Sequence, residues 1–425
     1  MFTSPRHLNL VLLCQSPYRS VKEMLGIWPE LPIYVHDFGF SSKEAIDDLV
    51  AALRLKALNH RVSGIRLARR LDIFSPSGWE TFAPVMQQSF PALTHLWLQP
   101  YFEGPVSRSF LGGSAPSLQD LHLSCVSFPA LPELLLSATN IVRLDYEDIS
   151  PSGYIPPQAM VAGLSALTRL ESLSFTFQSP EDLPDRAIRI PPPHMRTLLP
   201  ALTDLCFKGS SEYMEDLVAQ IDTPLLESVQ ITLFNLEVLE VSELAKFIHR
   251  TDKLSLPHQA ELTFISDHIS ITLSPKLLLG KNGPKTLKLK LASHESAFRL
   301  SYVAQFCASC LPTLSQFESL HIHDSIPWQD VVDDLDPQWL ELLCLFTTVK
   351  DLRLSRTVTP HVAQALRGLE VERVTAVLPA LENVFIHRLK RSAPAREAIS
   401  EFADARQLSG HPVSIQIGRE KLLYE

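Results

Sequence analysis

One arrangement of positions returns along the whole chain: an apolar residue, two others, an apolar residue, one other, and a third apolar residue. Its clearest copies are Leu93-Leu96-Leu98, Leu118-Leu121-Leu123, Leu170-Leu173-Phe175, Leu202-Leu205-Phe207, Val349-Leu352-Leu354 and Leu381-Val384-Ile386. Ile141-Leu144-Tyr146, Leu226-Val229-Ile231, Phe317-Leu320-Ile322 and Val62-Ile65-Leu67 fit with softer residues. Glu30-Ile33-Val35, Gln259-Leu262-Phe264, Pro284-Leu287-Leu289 and Pro412-Ile415-Ile417 fit if the first position is relaxed. The last two apolar positions alternate with a polar one, as in a half-buried strand. Between copies the apolar period changes to 3.6 residues, which predicts helices. Over 42–58, Ala45, Ile46, Leu49, Leu53 and Ala57 share a face behind Ser42 as N-cap. Segments 212–221, 239–249, 297–310, 331–346, 361–369 and 395–408 repeat the theme.

The first positions fall at 30, 62, 93, 118, 141, 170, 202, 226, 259, 284, 317, 349, 381 and 412. Thirteen steps average about 29 residues and range from about 23 to about 33, a drifting leucine-rich-repeat spacing. A strand followed by a crossover helix, repeated, predicts a parallel sheet with right-handed connections. The fold class is therefore α/β: a leucine-rich-repeat-like solenoid, with a parallel β-sheet on the concave side and helices on the convex side. Residues 1–29 read as an N-terminal cap segment, and 30–425 as a single irregular solenoid of about 14 units that shares its stability along the stack.

Composition supports this reading. There are 32 prolines and only 15 glycines in 425 residues, so proline exceeds its usual share of about 5% and glycine falls to half of its usual 7% or so. Scarce glycine disfavours phosphate-binding loops. Pro91, Pro116, Pro200, Pro224, Pro312 and Pro379 each lie one or two residues before a first position, where a helix must stop and a strand begin. With 38 Lys+Arg against 47 Asp+Glu the net charge is −9, which argues against a nucleic-acid partner. The chain contains no apolar run long enough for a membrane span. The apolar run from Leu8 to Cys14 reads as a packing segment, not a secretion signal. Six scattered cysteines and the lack of an Asn-x-Ser/Thr sequon predict a cytoplasmic or nuclear protein.

Several stretches carry a resemblance to a known family. They are Phe110-Leu-Gly-Gly-Ser-Ala-Pro-Ser-Leu-Gln-Asp-Leu-His-Leu123, Phe128-Pro-Ala-Leu-Pro-Glu-Leu-Leu-Leu-Ser-Ala-Thr139, Ser152-Gly-Tyr-Ile155, Tyr213-Met-Glu-Asp-Leu-Val-Ala-Gln-Ile-Asp222, Trp339-Leu-Glu-Leu-Leu343 and Ala405-Arg-Gln-Leu-Ser-Gly-His-Pro412. Over almost its whole length the chain resembles the basidiomycete fungal F-box-like proteins with degenerate leucine-rich repeats. That resemblance implies an amino-terminal F-box docking on a Skp-type adaptor of a cullin-RING ubiquitin ligase, with the repeats holding a substrate. Only 29 residues precede the first repeat, and Ser4 to Leu13 resembles the stretch that follows the box. A Skp-type adaptor is thus not expected as a partner, and no adaptor-contacting residue is assigned.

The chemistry-bearing motifs read as structure. Cys307-Ala-Ser-Cys310 has redox or metal-pair spacing but sits in an apolar helix without a second pair, so it predicts core thiols. Asp330, Asp333, Asp334 and Asp336 lack the central glycine of a calcium loop and suit a helix N-terminus. Gly112-Gly113-Ser114 lacks the lysine of a phosphate loop and predicts a turn. His321 and His323 could ligate zinc, but a third ligand is not evident. No metal, cofactor or catalytic residue is assigned, and an enzyme is not expected.

Binding is expected on the polar strand positions, which alternation turns away from the core. The candidate partner-binding residues are Tyr34, His95, Trp97, Asp120, Arg143, Asp145, Glu147, Lys288, Lys290, His321, His323, Arg353, Phe385 and His387, on a face that also carries Arg66, His122, Asp351 and Asn383. Its part over 120–147 is acidic, and its later part basic at 288–290 and rich in histidine from 321. The expected function is a non-catalytic interaction scaffold for an unidentified protein, resembling the substrate-recognition array of F-box receptors. Alternatives are a box-less decoy binding the same partners without ligase recruitment and an enzyme built on a repeat scaffold. Leu121→Asp or Leu205→Asp is expected to unfold several adjoining repeats; a variant with the parent's melting curve would refute this register.

Overall fold

In a computed structural model of the chain, the recurrent apolar positions become strands in which buried residues alternate with more exposed ones, except in the last, Ser414–Gly418, where Ile415 is half-buried and Ile417 exposed. The structure describes residues 7–10, 23, 27, 31–36, 43–67, 76–100, 102–178, 195–234, 241–251, 254, 258–265, 268–274, 287–292, 300–310, 317–324, 336–367, 369, 371–387 and 394–418. The chain divides into two compact units, Met1–Gly209 with Asp216–Leu225 and Ser210–Glu215 with Leu226–Glu425. Each is described by itself.

In the first unit, β1 (Leu8–Asn9), β2 (Ile33–His36), β3 (Val62–Leu67), β4 (His95–Leu98), β5 (Asp120–Ser124), β6 (Arg143–Ile149), β7 (Ser172–Phe177) and β8 (Asp204–Ser210) lie side by side in chain order. Every neighbouring pair is parallel. Ile65, Leu96, Leu121, Leu144, Leu173 and Leu205 face one another across successive strands, in the register that the pattern predicts. Strand β2 departs from it. Val35, not Ile33, faces Ile65, because the pairing is irregular after Ile33. A two-residue displacement keeps the same side chains inward, so the core tolerates it.

The prolines act through one recurring turn. The Leu93 N–H donates to Phe90 O, that of Leu118 to Ala115 O and that of Leu202 to Leu199 O. Pro91, Pro116 and Pro200 thus occupy the second position of a β-turn, where their fixed φ is favoured. Ile141 and Leu170 make the same bond, to Ala138 O and Leu167 O, without proline. The next two N–H groups then share one carbonyl of the preceding repeat: Gln119 and Asp120 on Thr94 O, Val142 and Arg143 on Gln119 O, Thr203 and Asp204 on Glu171 O. Backbone donors that enter a buried strand are satisfied in this way before the ladder begins.

The length of each step decides its connection. Between β4 and β5 there is a 3-10 turn, Phe110–Gly113, and between β5 and β6 a five-residue helix, Leu131–Leu135. The longer step from β6 to β7 accommodates the helix Pro157–Leu164. The predicted helix over 42–58 is two, Lys43–Leu53 and Lys56–Asn59, with Ser42 outside the described residues.

The second unit holds β9 (Ser228–Phe234), β10 (Gln259–Ile265), β11 (His268–Ser274), β12 (Leu287–Ala292), β13 (Ser319–Asp324), β14 (Asp351–Leu354), β15 (Asn383–His387) and β16 (Ser414–Gly418). Their spatial order is β9-β12-β11-β10-β13-β14-β15-β16. The expectation of a purely parallel sheet in chain order is corrected here, because β11 runs antiparallel to both β10 and β12. Only two residues separate β10 from β11, far too few for a parallel crossover, so the pair must form a hairpin. Strand β11 was missed because Ile269, Ile271 and Leu273 alternate without the leading apolar position. Strand β12 then pairs with β9, and β10 pairs with β13. Leu262 consequently faces Ile322 and Ala260 faces Leu320, two residues from the predicted alignment. The remaining pairs, Leu320 with Leu352, Leu352 with Val384 and Val384 with Ile415, match it. This is a large mixed sheet with helices between its strands.

Two buried charged side chains tie helices of the second unit to backbone elsewhere in it. Glu215 accepts from the N–H groups of Glu243 and Leu244, both at 2.8 Å, capping the helix Ser242–Arg250 whose own N-cap residue, Val241, has no such side chain. Arg406, on the helix Pro394–Leu408, is 1% exposed. Its guanidinium donates to the carbonyls of Val374, Val377, Leu378, Pro379 and Leu381 at 3.2–3.4 Å. These carbonyls belong to the approach to β15, so Arg406 holds that turn to the following helix. Arg406→Ala is expected to cost roughly 2–4 kcal/mol by leaving buried carbonyls unpaired. Urea unfolding checks this against Asp404→Asn on the same helix, which should change stability by less than about 0.5 kcal/mol.

Candidate functional site

In the first unit, the register that stacks the leucines also stacks their polar neighbours. One row across the sheet reads Arg66, Trp97, His122, Asp145, Ser174 and Cys206. The Arg66 guanidinium lies 4.7 Å from the Trp97 ring centroid, and the His122 ring stacks on Trp97 at 3.8 Å and 23°. Trp97 is thus flanked on successive strands by Arg66 and His122 and is not an open aromatic face. His122 Nδ1 lies 3.4 Å from Asp145 Oδ2, and the Ser174 hydroxyl donates to Glu147 Oε1 at 3.0 Å.

The neighbouring row reads Gly64, His95, Asp120, Arg143, Ser172 and Asp204. Gly64 is needed for Tyr34, which faces it on β2: a Cβ at Gly64 would run into the Tyr34 ring. The Tyr34 ring thereby reaches to 6.3 Å from His95. Burial, followed by the negative field of Asp120, raises the Tyr34 hydroxyl pKa. His95 Nε2 is 3.0 Å from Asp120 Oδ2, and Arg143 is exposed. The predicted residues Tyr34, His95, Trp97, Asp120, Arg143, Asp145 and Glu147 thus form one contiguous patch. Arg66 and His122 complete it by filling both sides of Trp97.

In the second unit, one row reads Gln230, Lys288, Thr272, Glu261, His321, Arg353, Phe385 and Gln416. Lys290, Ser270, Thr263 and His323 follow in the next. Glu261 adds a carboxylate to this basic and histidine-rich face, because the strand pairing places it beside both histidines. His323 donates to the Glu261 carboxylate, and this hydrogen bond, more than the opposing burial, holds the carboxyl below its usual pKa. Gln259 Nε2 lies 3.3 Å from His321 Nδ1. The Arg353 guanidinium stacks over Phe385 at 4.7 Å. His387 pairs through its backbone with Gly418, and its side chain lies outside the described residues. Alternation within 259–265 was the signal for Glu261; its neighbours were not legible because they depend on the hairpin.

The remaining motifs fall elsewhere. Cys307 is buried in the helix Leu300–Cys310, and burial pushes its thiol up to about 12. Gly112 and Gly113 lie in a tight turn with φ of 70° and 74°. Asp330, Asp333 and Asp334 are outside the described residues, and Asp336 opens the helix Asp336–Cys344. Among the described residues, no group of three or more His, Cys, Asp or Glu could hold a metal ion, and no helix is long and apolar enough to cross a membrane.

No family model matches the chain, and no curated protein matches it. Among solved structures it is similar to the leucine-rich repeat-containing protein LegL7 from Legionella pneumophila. The identity is 14%, the match covers 89% of this chain and 98% of that one, and the TM-score is 0.29.

Burial, reinforced by the Arg353 charge, pushes His321 from 6.5 down to about 4. The folded unit therefore holds fewer protons than the unfolded chain between these values. Stability is complete above about pH 6.5 and declines as pH falls toward 4, by at most about 1.4 kcal/mol per unit. Glu261, whose pKa is depressed, loses its contribution in the same direction as pH falls through its folded value. Denaturant unfolding at pH 7.5 and pH 5 should show the decline, and His321→Gln should flatten it; equal slopes in parent and variant would refute the assignment.

Proposed function

We propose that the chain is a non-catalytic interaction scaffold that holds a partner protein on the outer face of its strands, in the manner of the substrate-recognition arrays of the F-box receptors it resembles. In each unit, the strand face would be the concave side of a leucine-rich-repeat-like stack, and the helices would form the convex side. The parallel pairing of neighbouring strands in the first unit, with helices or turns in the connections, supports this arrangement.

The observation that carries the proposal is the contiguous patch from Tyr34 to Glu147. Aromatic rings, carboxylates and a guanidinium are presented there side by side from strands and held by one another. Strands fix such groups more tightly than loops do, and tryptophan, tyrosine and arginine are enriched where protein contacts are strongest. Affinity capture with the tagged chain from its native cells, read by mass spectrometry, tests the proposal. Trp97→Ala and the charge reversal Arg143→Glu should each weaken retention of a shared partner by about 1 kcal/mol or more while leaving the melting temperature near that of the parent. A folded variant pair that retains every partner as the parent does would overturn it.

A further inference from the structure

We infer that the strip formed by Asp120, Asp145 and Glu147 beside the Trp97–His122 stack takes a cationic side chain, arginine above all, from a partner polypeptide; this rests on the scaffold reading. Acceptors predominate in the strip. One oxygen of each carboxylate engages a partner on the sheet, His95 for Asp120, His122 for Asp145 and Ser174 for Glu147. A carboxylate offers two oxygens and about four lone-pair sites, so each retains acceptor capacity. Among the described residues no lysine or arginine pairs with any of the three.

His122 points to the same ligand independently. It is only 7% exposed, and its Nδ1 lies 3.4 Å from Asp145 Oδ2, to which it donates in the neutral Nδ1–H tautomer. Its Nε2 is buried and without a hydrogen-bond partner, and in that tautomer it is a lone-pair acceptor. A donor supplied from outside relieves that cost. The indole Nε1 of Trp97 is likewise a buried donor without a hydrogen-bond partner, and it needs an acceptor.

A partner that satisfies both must bring several N–H donors together with a carbonyl. An arginine within a polypeptide does so, through its guanidinium and its backbone. A bare metal ion provides no acceptor for the indole, and a polyanion would meet three carboxylates. Arg66 shows that a guanidinium stacks on this surface, since it already lies over Trp97. Arginine is favoured over lysine because its planar fork pairs with carboxylates through two hydrogen bonds at once.

Fluorescence anisotropy of the full chain with labelled Gly/Ser peptides carrying arginine, citrulline or glutamate tests the inference. Citrulline keeps the shape of arginine and removes its charge. The arginine peptide should bind, and the citrulline peptide should bind roughly tenfold more weakly or worse, as for loss of a charge-assisted hydrogen bond. Asp145→Asn with Glu147→Gln should weaken the arginine peptide by about the same factor. Removing two exposed carboxylates elsewhere, Glu80→Gln with Glu401→Gln, should leave binding unchanged. Should the double variant disturb His122, Glu147→Gln alone carries the comparison. Absent binding of the arginine peptide, equal binding of the citrulline peptide, or an equal loss in the distant variant would each overturn the inference. Glutamate-peptide binding abolished by Trp97→Ala would also overturn it, while leaving the scaffold reading standing.

Discussion

The strand register is the constraint on which the rest depends. In the first unit, one leucine or isoleucine per strand from Ile65 to Leu205 must face its counterpart in the next repeat, each at 2% exposure or less. A slip of one residue would turn that row to the surface and drive Trp97, His122 and Asp145 inward. Each buried leucine is worth roughly 1.5–3 kcal/mol in transfer free energy, so such a slip would cost more than most domains possess in net stability. The polar rows are therefore adjacent because the apolar rows are. Arg66 reaches Trp97, and His122 reaches Asp145, through the pairing of their buried neighbours.

Unequal repeats are compatible with this constraint because the strand entry and the connection are separate devices. The i to i−3 turn and the shared carbonyl set where each strand begins, with or without proline. The connection then absorbs the remaining length as a 3-10 turn, a five-residue helix or a longer one. In the second unit the hairpin of β10 and β11 changes which strands are neighbours without changing which side chains face inward. Period-two alternation is indifferent to strand direction and to displacements of two residues. Glu261 enters the histidine row as a consequence.

The two polar faces differ in electrostatics although both rest on alternating strands. In the first unit, carboxylates face histidines and serines across neighbouring strands and keep a surplus of acceptors. In the second, the Glu261 carboxylate is engaged by His323, while His321 is kept neutral by desolvation and by Arg353. A partly buried imidazole between a carboxylate and a guanidinium makes that sheet sensitive to acid. The acceptor-rich face of the first unit is open to a donor from outside.

From β2 onward, the strand positions of the first unit, their inward side chains and the polar residues on the opposite face were legible in the chain itself, because burial on one face of a strand writes a period-two pattern. The proline positions were legible as well, though their role in a β-turn required the hydrogen bonds to be seen. Strand β11, the displaced alignment of β10 and the pairing of β12 with β9 were not, because strand neighbours are chosen by long-range backbone pairing, which leaves no local mark on composition. For the same reason the sequence could place Trp97 on the outer face but not show that Arg66 and His122 cover its two sides. Contacts between rows belong to the tertiary structure, where neighbouring strands come within hydrogen-bonding distance and side chains about 30 residues apart in the chain become partners.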